Sequence, residues 1–285
     1  MKVASGIAYD RQGQGPTVLL LHGTGGSHRI WRPIVERLRA DRDVISVDLP
    51  GCGSSAPISA PGPVTNAEFA RRIGAFIDEL GLQHVHVAGT SLGGHVALLL
   101  AAAGKADAAV AFSPTGFWNK RQSLYTRTLV RVSRFGTFLS APVVPALAAT
   151  VFGRNLLLGT SFANPAGVPS EDAHAVVTDL RTSAGFAGFA QANSERLGGQ
   201  PVSTSEAASR PDAGLRDALA KVPVTIAWAE QDRFLSPRQA EVARLALPHA
   251  RHTTLPNCGH LATWDDPALL TELILTADFA NHESH

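Results

Sequence analysis

Cysteine is nearly absent. Cys52 and Cys258 are the only two in 285 residues, which excludes a multi-disulfide framework and any C-x-x-C or C2H2 zinc module. A bridge between them and a pair of small unpaired loop residues are the alternatives, and the second is the reading taken. Charge is scarce and balanced, with 25 Lys and Arg against 24 Asp and Glu and a net charge of +1 with His neutral. That leaves no electrostatic case for nucleic acid as a partner. The first residues, Met1 to Gly6, lack an apolar core, so no signal peptide is read and a cytoplasmic location is expected.

Long apolar runs are also missing. Residues 135 to 153 form an uncharged run of 19 between Arg134 and Arg154, yet Pro142 and Pro145 interrupt it and Gly136, Thr137, Ser140 and Thr150 dilute it. A membrane span is therefore not expected, and the run reads as buried or pocket-lining helices. Acid is absent from Ala108 to Ser170, where Lys120, Arg121, Arg127, Arg131, Arg134 and Arg154 occur. Arg127, Arg131 and Arg134 share a helical face, read first as solvated, with an acidic substrate or a membrane surface as the alternatives.

What is present is a βα rhythm. The apolar runs Thr17 to Leu21, Val44 to Val47, Val85 to Ala88 and Ala108 to Phe112 alternate with helical patterns, and their near-continuous apolarity implies a sheet covered on both faces. Phe69, Ile73, Phe76, Ile77 and Leu80 mark one face of a helix opened by the capping box Thr65-x-x-Glu68 and closed at Gly81. Ile30, Ile34 and Leu38 mark the helix before it. The segment from Gly6 to Asp10 leaves room for one strand and a stub of another. After Pro114 the rhythm stops, resuming at Pro223 to Trp228. A helix opened by Ser236-Pro237, a strand at His252 to Leu255 and a helix opened by Asp266-Pro267 follow. The stretch from Gly198 to Ala213, rich in Ser, Pro, Thr and Ala, reads as a loop.

The expected fold is thus α/β, a mostly parallel doubly wound sheet, with a core formed by residues 1–115 and 222–285. Residues 116–221 form a helical cap inserted before the strand at about 223. Seven of the twelve phenylalanines lie between residues 117 and 189 (Phe117, Phe135, Phe138, Phe152, Phe162, Phe186 and Phe189). Either they line an apolar pocket, with Phe117, Trp118, Phe138 and Leu261 as candidate substrate contacts, or they hold the cap helices together.

Chemistry concentrates in three places. Ser91 sits in Gly89-Thr90-Ser91-Leu92-Gly93, between a strand and a helix, which is the context of a nucleophile elbow. A serine hydroxyl needs a base, and the base needs an orienting group. Asp232 lies just past the strand at 223 to 228 and His260 just past the strand at 252 to 255, at the carboxyl ends where functional groups collect in such sheets. Glu230 is the rival acid. Among the other histidines, His95 reads as packed or hydrogen-bonded, His84 and His86 as strand flanks, and His282 and His285 as tail.

These motifs, with Leu21-His22-Gly23-Thr24-Gly25-Gly26, Asp48 to Ser55 and Asn257-Cys258-Gly259-His260, resemble those of the α/β-hydrolase superfamily, and the resemblance covers nearly the whole chain. It implies a triad of Ser91, Asp232 and His260 in the order usual for that family, with the amides of Thr24 and Leu92 as the oxyanion hole. His22 is structural in that family. The family's alternative site for the acid, after the strand ending at Phe112, reads Ser113-Pro114-Thr115-Gly116 and holds no carboxylate. Dehalogenases and epoxide hydrolases of this fold use aspartate where Ser91 stands. Carbon–carbon bond hydrolases usually carry Asn and Trp at the positions of Thr90 and Leu261. The expected activity is hydrolysis of a small to medium apolar carboxylic ester, without metal or cofactor. Carbon–carbon hydrolysis, a perhydrolase or lyase on the same triad, and a ligand receptor on this scaffold are the other readings, and the oligomeric state is left open.

Overall fold

The computed structural model describes residues 1–58, 64–118, 120–139, 141–184, 197 and 213–277. Phe186, Phe189, His282, His285 and the stretch from Gly198 to Pro211 lie outside the described residues. Eight strands form one sheet: β1 (Lys2–Ala4), β2 (Ile7–Gln12), β3 (Thr17–Leu21), β4 (Asp43–Val47), β5 (His86–Thr90), β6 (Ala108–Phe112), β7 (Val224–Ala229) and β8 (Arg251–Leu255). Their order is β1-β2-β4-β3-β5-β6-β7-β8. From β4 to β8 every pairing is parallel, while β1 and β2 add an antiparallel edge, with Tyr9 opposite Val47. The N-terminus therefore supplies one strand, β2, and the short β1 of three residues beside it.

The doubly buried sheet follows from the period of two. Leu19 and Leu21 pack with Phe69, Ile73 and Phe76 on one face, while Val18 and Leu20 pack with Ile34, Leu38 and Leu273 on the other. Each strand must satisfy two apolar layers, so its composition is apolar throughout. On the first face lie helices α2 (Asn66–Glu79) and α3 (Leu92–Ala102), and α1 (Arg32–Leu38) covers the second. The Thr65 side chain accepts from the Glu68 amide at 3.1 Å, capping α2, and Gly81 follows its C-terminus at φ +60°.

Between β6 and β7 the chain forms α4 (Lys120–Leu139), α5 (Val144–Ala148), α6 (Val151–Leu158), α7 (Ser170–Thr182) and α8 (Ala213–Leu219). Two helices close the described chain, α9 (Gln239–Ala246) and α10 (Pro267–Leu275). Asp266 caps α10, accepting from the Leu269 amide at 2.9 Å. Helix α9 starts later than Ser236-Pro237 suggests, because those residues form a turn closed by the Gln239 amide on the Ser236 carbonyl.

The uncharged run from 135 to 153 departs from its expected burial. Val144 and Ala148 are buried, but Phe135, Phe138, Val143, Val151 and Phe152 are exposed. Among the described residues no helix is long and apolar enough to cross a membrane.

Candidate active site

Parallel strands deliver their loops to one edge of the sheet, and there β3, β5, β7 and β8 bring Thr24, Ser91, Asp232 and His260. Ser91 is the N-cap of α3, with φ 56° and ψ −117°. A residue with a Cβ adopts that conformation only when its surroundings force it. Here Ser91 donates its amide to the Phe112 carbonyl at 2.9 Å, and its own carbonyl accepts from His95 and Thr115, each at 3.1 Å.

The glycines on either side are dictated by contact. A Cβ on Gly89 would lie 2.2 Å from the Gly93 carbonyl oxygen, and one on Gly93 would lie 2.3 Å from that of Leu21. Neither position admits a side chain without moving strand against helix.

Asp232 is held by its own loop. One carboxylate oxygen, Oδ1, accepts from the amides of Phe234 and Leu235 at 2.8 and 2.7 Å, and Oδ2 meets His260 Nδ1 at 2.7 Å. The Nδ1 nitrogen thereby carries the proton, which leaves Nε2 as the basic atom. The Phe234 ring lies 5.2 Å from the imidazole and limits its movement. Glu230 faces elsewhere, accepting from the Asn257 amide at 3.0 Å.

Ser91 and His260 line one cavity of about 100 Å³, together with Thr24. Leu92, the first residue of α3, is fully buried beneath Ser91. As N1 of the helix, its amide belongs to the group of N–H donors without intrahelical partners, at the positive end of the dipole.

The expected aromatic contacts lie elsewhere. Phe117 and Trp118 are buried in the core, Phe117 against Trp228 at 6.3 Å, and Phe138 is exposed with the Arg134 guanidinium 5.7 Å over its ring. None of the three lines the cavity, whereas Leu261 does. Its apolar wall comes instead from Ile30, Val130, Leu180, Phe234 and Trp264. Phe234 and Trp264 lie within four residues of Asp232 and His260, a proximity that marks them as wall residues once those two are fixed.

Two carboxylates also line the cavity, Asp172 and Asp179 on α7. Burial raises both above the usual carboxylate range. Ser27 Oγ donates to Asp179 at 2.5 Å and Arg32 pairs with Asp172 at 2.5 Å. Asp172 and its neighbour Glu171 are the first acids after the acid-free run, the only trace they leave in the sequence.

Below the site the loops are fastened by buried polar groups. His22 donates from Nδ1 to the Gly23 carbonyl at 2.7 Å and accepts at Nε2 from the Leu49 amide at 2.9 Å. It is neutral, its pKa pushed down to about 4 by burial. Burial pushes Asp48 upward, but bonds from the His28 ring and amide and from the Ser54 amide outweigh it and hold the pKa at about 2. His95 packs beneath Ser91 with Nδ1 at 3.3 Å from Thr115 Oγ1, and burial lowers its pKa to about 3. Cys52 and Cys258 are both unpaired and buried.

These two histidines make the fold sensitive to acid. Unfolded, each binds a proton near pH 6.5, while folded His22 and His95 stay neutral to about 4 and about 3. The unfolded state therefore binds more protons below pH 6.5, so their stabilisation is complete above that pH and lost as pH falls. Two such groups give a slope of about 2–3 kcal/mol per pH unit, opposed by Asp172 and Asp179, whose raised pKa values favour the folded state in acid. Urea unfolding at pH 7, 6 and 5 checks this: the denaturation midpoint falls at each step, and a flat midpoint contradicts it.

A family model described as alpha/beta hydrolase fold matches residues 16–267. The chain belongs to that family. A monoacylglycerol lipase of Xenopus laevis is 24% identical, over 98% of this chain and 81% of the relative. A 2-hydroxy-6-oxononadienedioate/2-hydroxy-6-oxononatrienedioate hydrolase of Pseudomonas putida is 25% identical, over 97% and 92%. Two local matches at 38% identity span only 33% and 36% of those relatives' own lengths. Among solved structures, an esterase of Thermogutta terrifontis shares the fold at TM-score 0.68 and 22% identity, over 94% of this chain and 91% of that one. Membership of the family, with hydrolase names among its relatives, supports hydrolysis as the reaction class.

Proposed function

We propose that the chain is a serine hydrolase of small to medium, uncharged, apolar carboxylic esters, working through an acyl-enzyme on Ser91. The observation that carries this reading is an imidazole, His260, backed by Asp232 and lining the same cavity as a serine held in a strained turn. Ser91 Oγ attacks the ester carbonyl and passes its proton to His260 Nε2. The oxyanion forms against the amides of Thr24 and Leu92, each worth about 10²–10³ in rate. Collapse breaks the bond to the alcohol, which leaves with the proton from Nε2. Water then repeats the sequence on the acyl-enzyme and releases the acid. In this reading α4 to α8 act as a cap over the sheet edge, and the core is the rest of the chain.

Asp172 and Asp179 bear on the substrate. Asp172 is paired with Arg32, and Asp179 with Ser27 and with Arg29, which also lines the cavity, so the cations nearest the pocket are already matched by carboxylates and offer a substrate carboxylate no free partner. This weighs against steering of acidic substrates by the basic segment. Carbon–carbon hydrolysis is the second reading, favoured by the Pseudomonas putida relative over 97% of the chain. Thr90 and Leu261 count against it, as does the dicarboxylate that the relative's name specifies.

The deciding experiment measures kcat/KM for neutral aryl esters, the same esters bearing a carboxylate near the scissile bond, and a meta-cleavage diketone. Neutral esters are expected to exceed both others by at least about tenfold. Preference for the diketone, or no ester turnover at all, overturns the proposal.

A further inference from the structure

Helix α4 carries large apolar side chains on its outer side as well as its inner one. Its inward face mixes Leu129 and Val130, packed against the core, with small polar residues: Ser123, Thr126 and Thr137 are buried, and Thr126 Oγ1 donates to the Phe234 carbonyl at 2.9 Å. Thr126, Val130 and Ser133 line the cavity. The opposite face carries Leu124, Tyr125, Val132, Phe135 and Phe138, exposed by between 53% (Phe138) and 64% (Phe135). Helical faces of a folded chain normally bury their apolar side. Here Leu124, Val132 and Phe135 stay exposed among Arg121, Thr128 and Arg131, and an exposed apolar stripe of this kind marks an interaction site.

Charge selects the partner. Leu124, Val132 and Phe135 share an arc of about 100° with Arg121 and Arg131 at the ordinary turn per residue, and both arginines are exposed. No acid occurs anywhere from Ala108 to Ser170. A second copy docked through a two-fold axis would set Arg121 and Arg131 against the same acid-free face, a like-charge contact with no carboxylate to relieve it. An anionic lipid surface offers what the face asks for, acyl chains below and phosphates at the level of the guanidinium groups, with arginine stems lying along the apolar layer. Helix α4, at 20 residues, is about 30 Å long and would lie flat in the headgroup layer.

We infer that the outer face of α4 docks the protein on anionic bilayers, setting the helix between the lipid surface and the cavity that its inner face lines. Docking is independent of the chemistry assigned to Ser91 and extends the proposed function by naming where an ester substrate is met.

The test is co-sedimentation of the full chain with vesicles of phosphatidylcholine alone and of phosphatidylcholine with about one-third phosphatidylglycerol. The wild type pellets with the anionic vesicles. Val132→Ser/Phe135→Ser is expected to lower partitioning at least about tenfold. Arg121→Gln/Arg131→Gln loses about fivefold per arginine, and high salt reproduces that loss in the wild type. Far-UV circular dichroism and hydrolysis of a short soluble ester remain within about twofold of wild type in both variants, since neither pair touches the cavity. No vesicle binding, or binding that neither variant alters, overturns the inference. So does a dimer seen by light scattering that Phe135→Ser abolishes in a protein that ignores vesicles. Failure of the wild type on every ester leaves the vesicle result standing and counts against the proposed function instead.

Discussion

Ser91→Ala is expected to lose at least about 10⁴-fold in kcat on the preferred ester while folding as the wild type does. The backbone of residue 91 is held by main-chain hydrogen bonds with Phe112, His95 and Thr115, none of which involves its side chain. Alanine keeps the Cβ that makes the φ of 56° strained, so the elbow carries the same strain with either residue. Only the attacking oxygen disappears. Neither cysteine is poised to take its place: burial raises the pKa of both the Cys52 and Cys258 thiols to about 12, which keeps them protonated and inert. A fluorophosphonate probe is therefore expected to label the wild type on the peptide carrying Ser91 and to leave the variant unlabelled. Wild-type turnover by the alanine variant sinks the mechanism.

How far this arrangement was readable depends on the length scale of each signal. The elbow is legible because its requirements are local: Gly89 and Gly93 are demanded by contacts that strand, turn and helix make with one another. The parallel strands are legible because burial on both faces leaves no polar positions in Leu19 to Leu21 or Val110 to Phe112. Asp232 and His260 follow from them, as loops at the same sheet edge. The antiparallel edge is only faintly legible, because β1 has three residues with only Ala4 buried, too short for a pattern. Between β6 and β7 local rules fail. Phe117 and Trp118 turn into the core beside Trp228, while Phe135, Phe138 and Phe152 face outward. Composition alone cannot separate those fates, since a phenylalanine is equally apolar in a core, at a pocket wall or on a docking face. Asp172 and Asp179 enter the cavity because α7 packs against α4 and against the segment carrying Ser27, Arg29 and Arg32, a tertiary fact with no local cause.

Asp232→Asn is the sharper probe of the site, because it changes one proton and almost no volume. Asp232 Oδ1 is committed to the Phe234 and Leu235 amides at 2.8 and 2.7 Å. Two donors fix which end of an asparagine must take that place, the carbonyl oxygen. The amide nitrogen is then left facing His260 Nδ1 across the 2.7 Å contact. Since that nitrogen carries only hydrogens, Nδ1 must become the acceptor and the ring proton must move to Nε2, the atom that receives the proton of Ser91 in the proposed mechanism. The negative charge that stabilises the imidazolium is lost as well. A fall of about 10⁴-fold in kcat is expected, with the melting temperature near that of the wild type because both backbone donors remain satisfied. Asp232→Ala behaves differently: it strands two buried amides at about 1–3 kcal/mol each, so stability falls along with activity. A purely structural Asp232 predicts that activity tracks melting temperature across the two variants. The mechanism predicts that asparagine separates them. Glu230→Gln supplies the control, since Glu230 faces the Asn257 amide and its charge is no part of the relay. It keeps kcat within about twofold of the wild type, whereas a collapse comparable to that of Asp232→Asn would move the acid of the triad from Asp232 to Glu230.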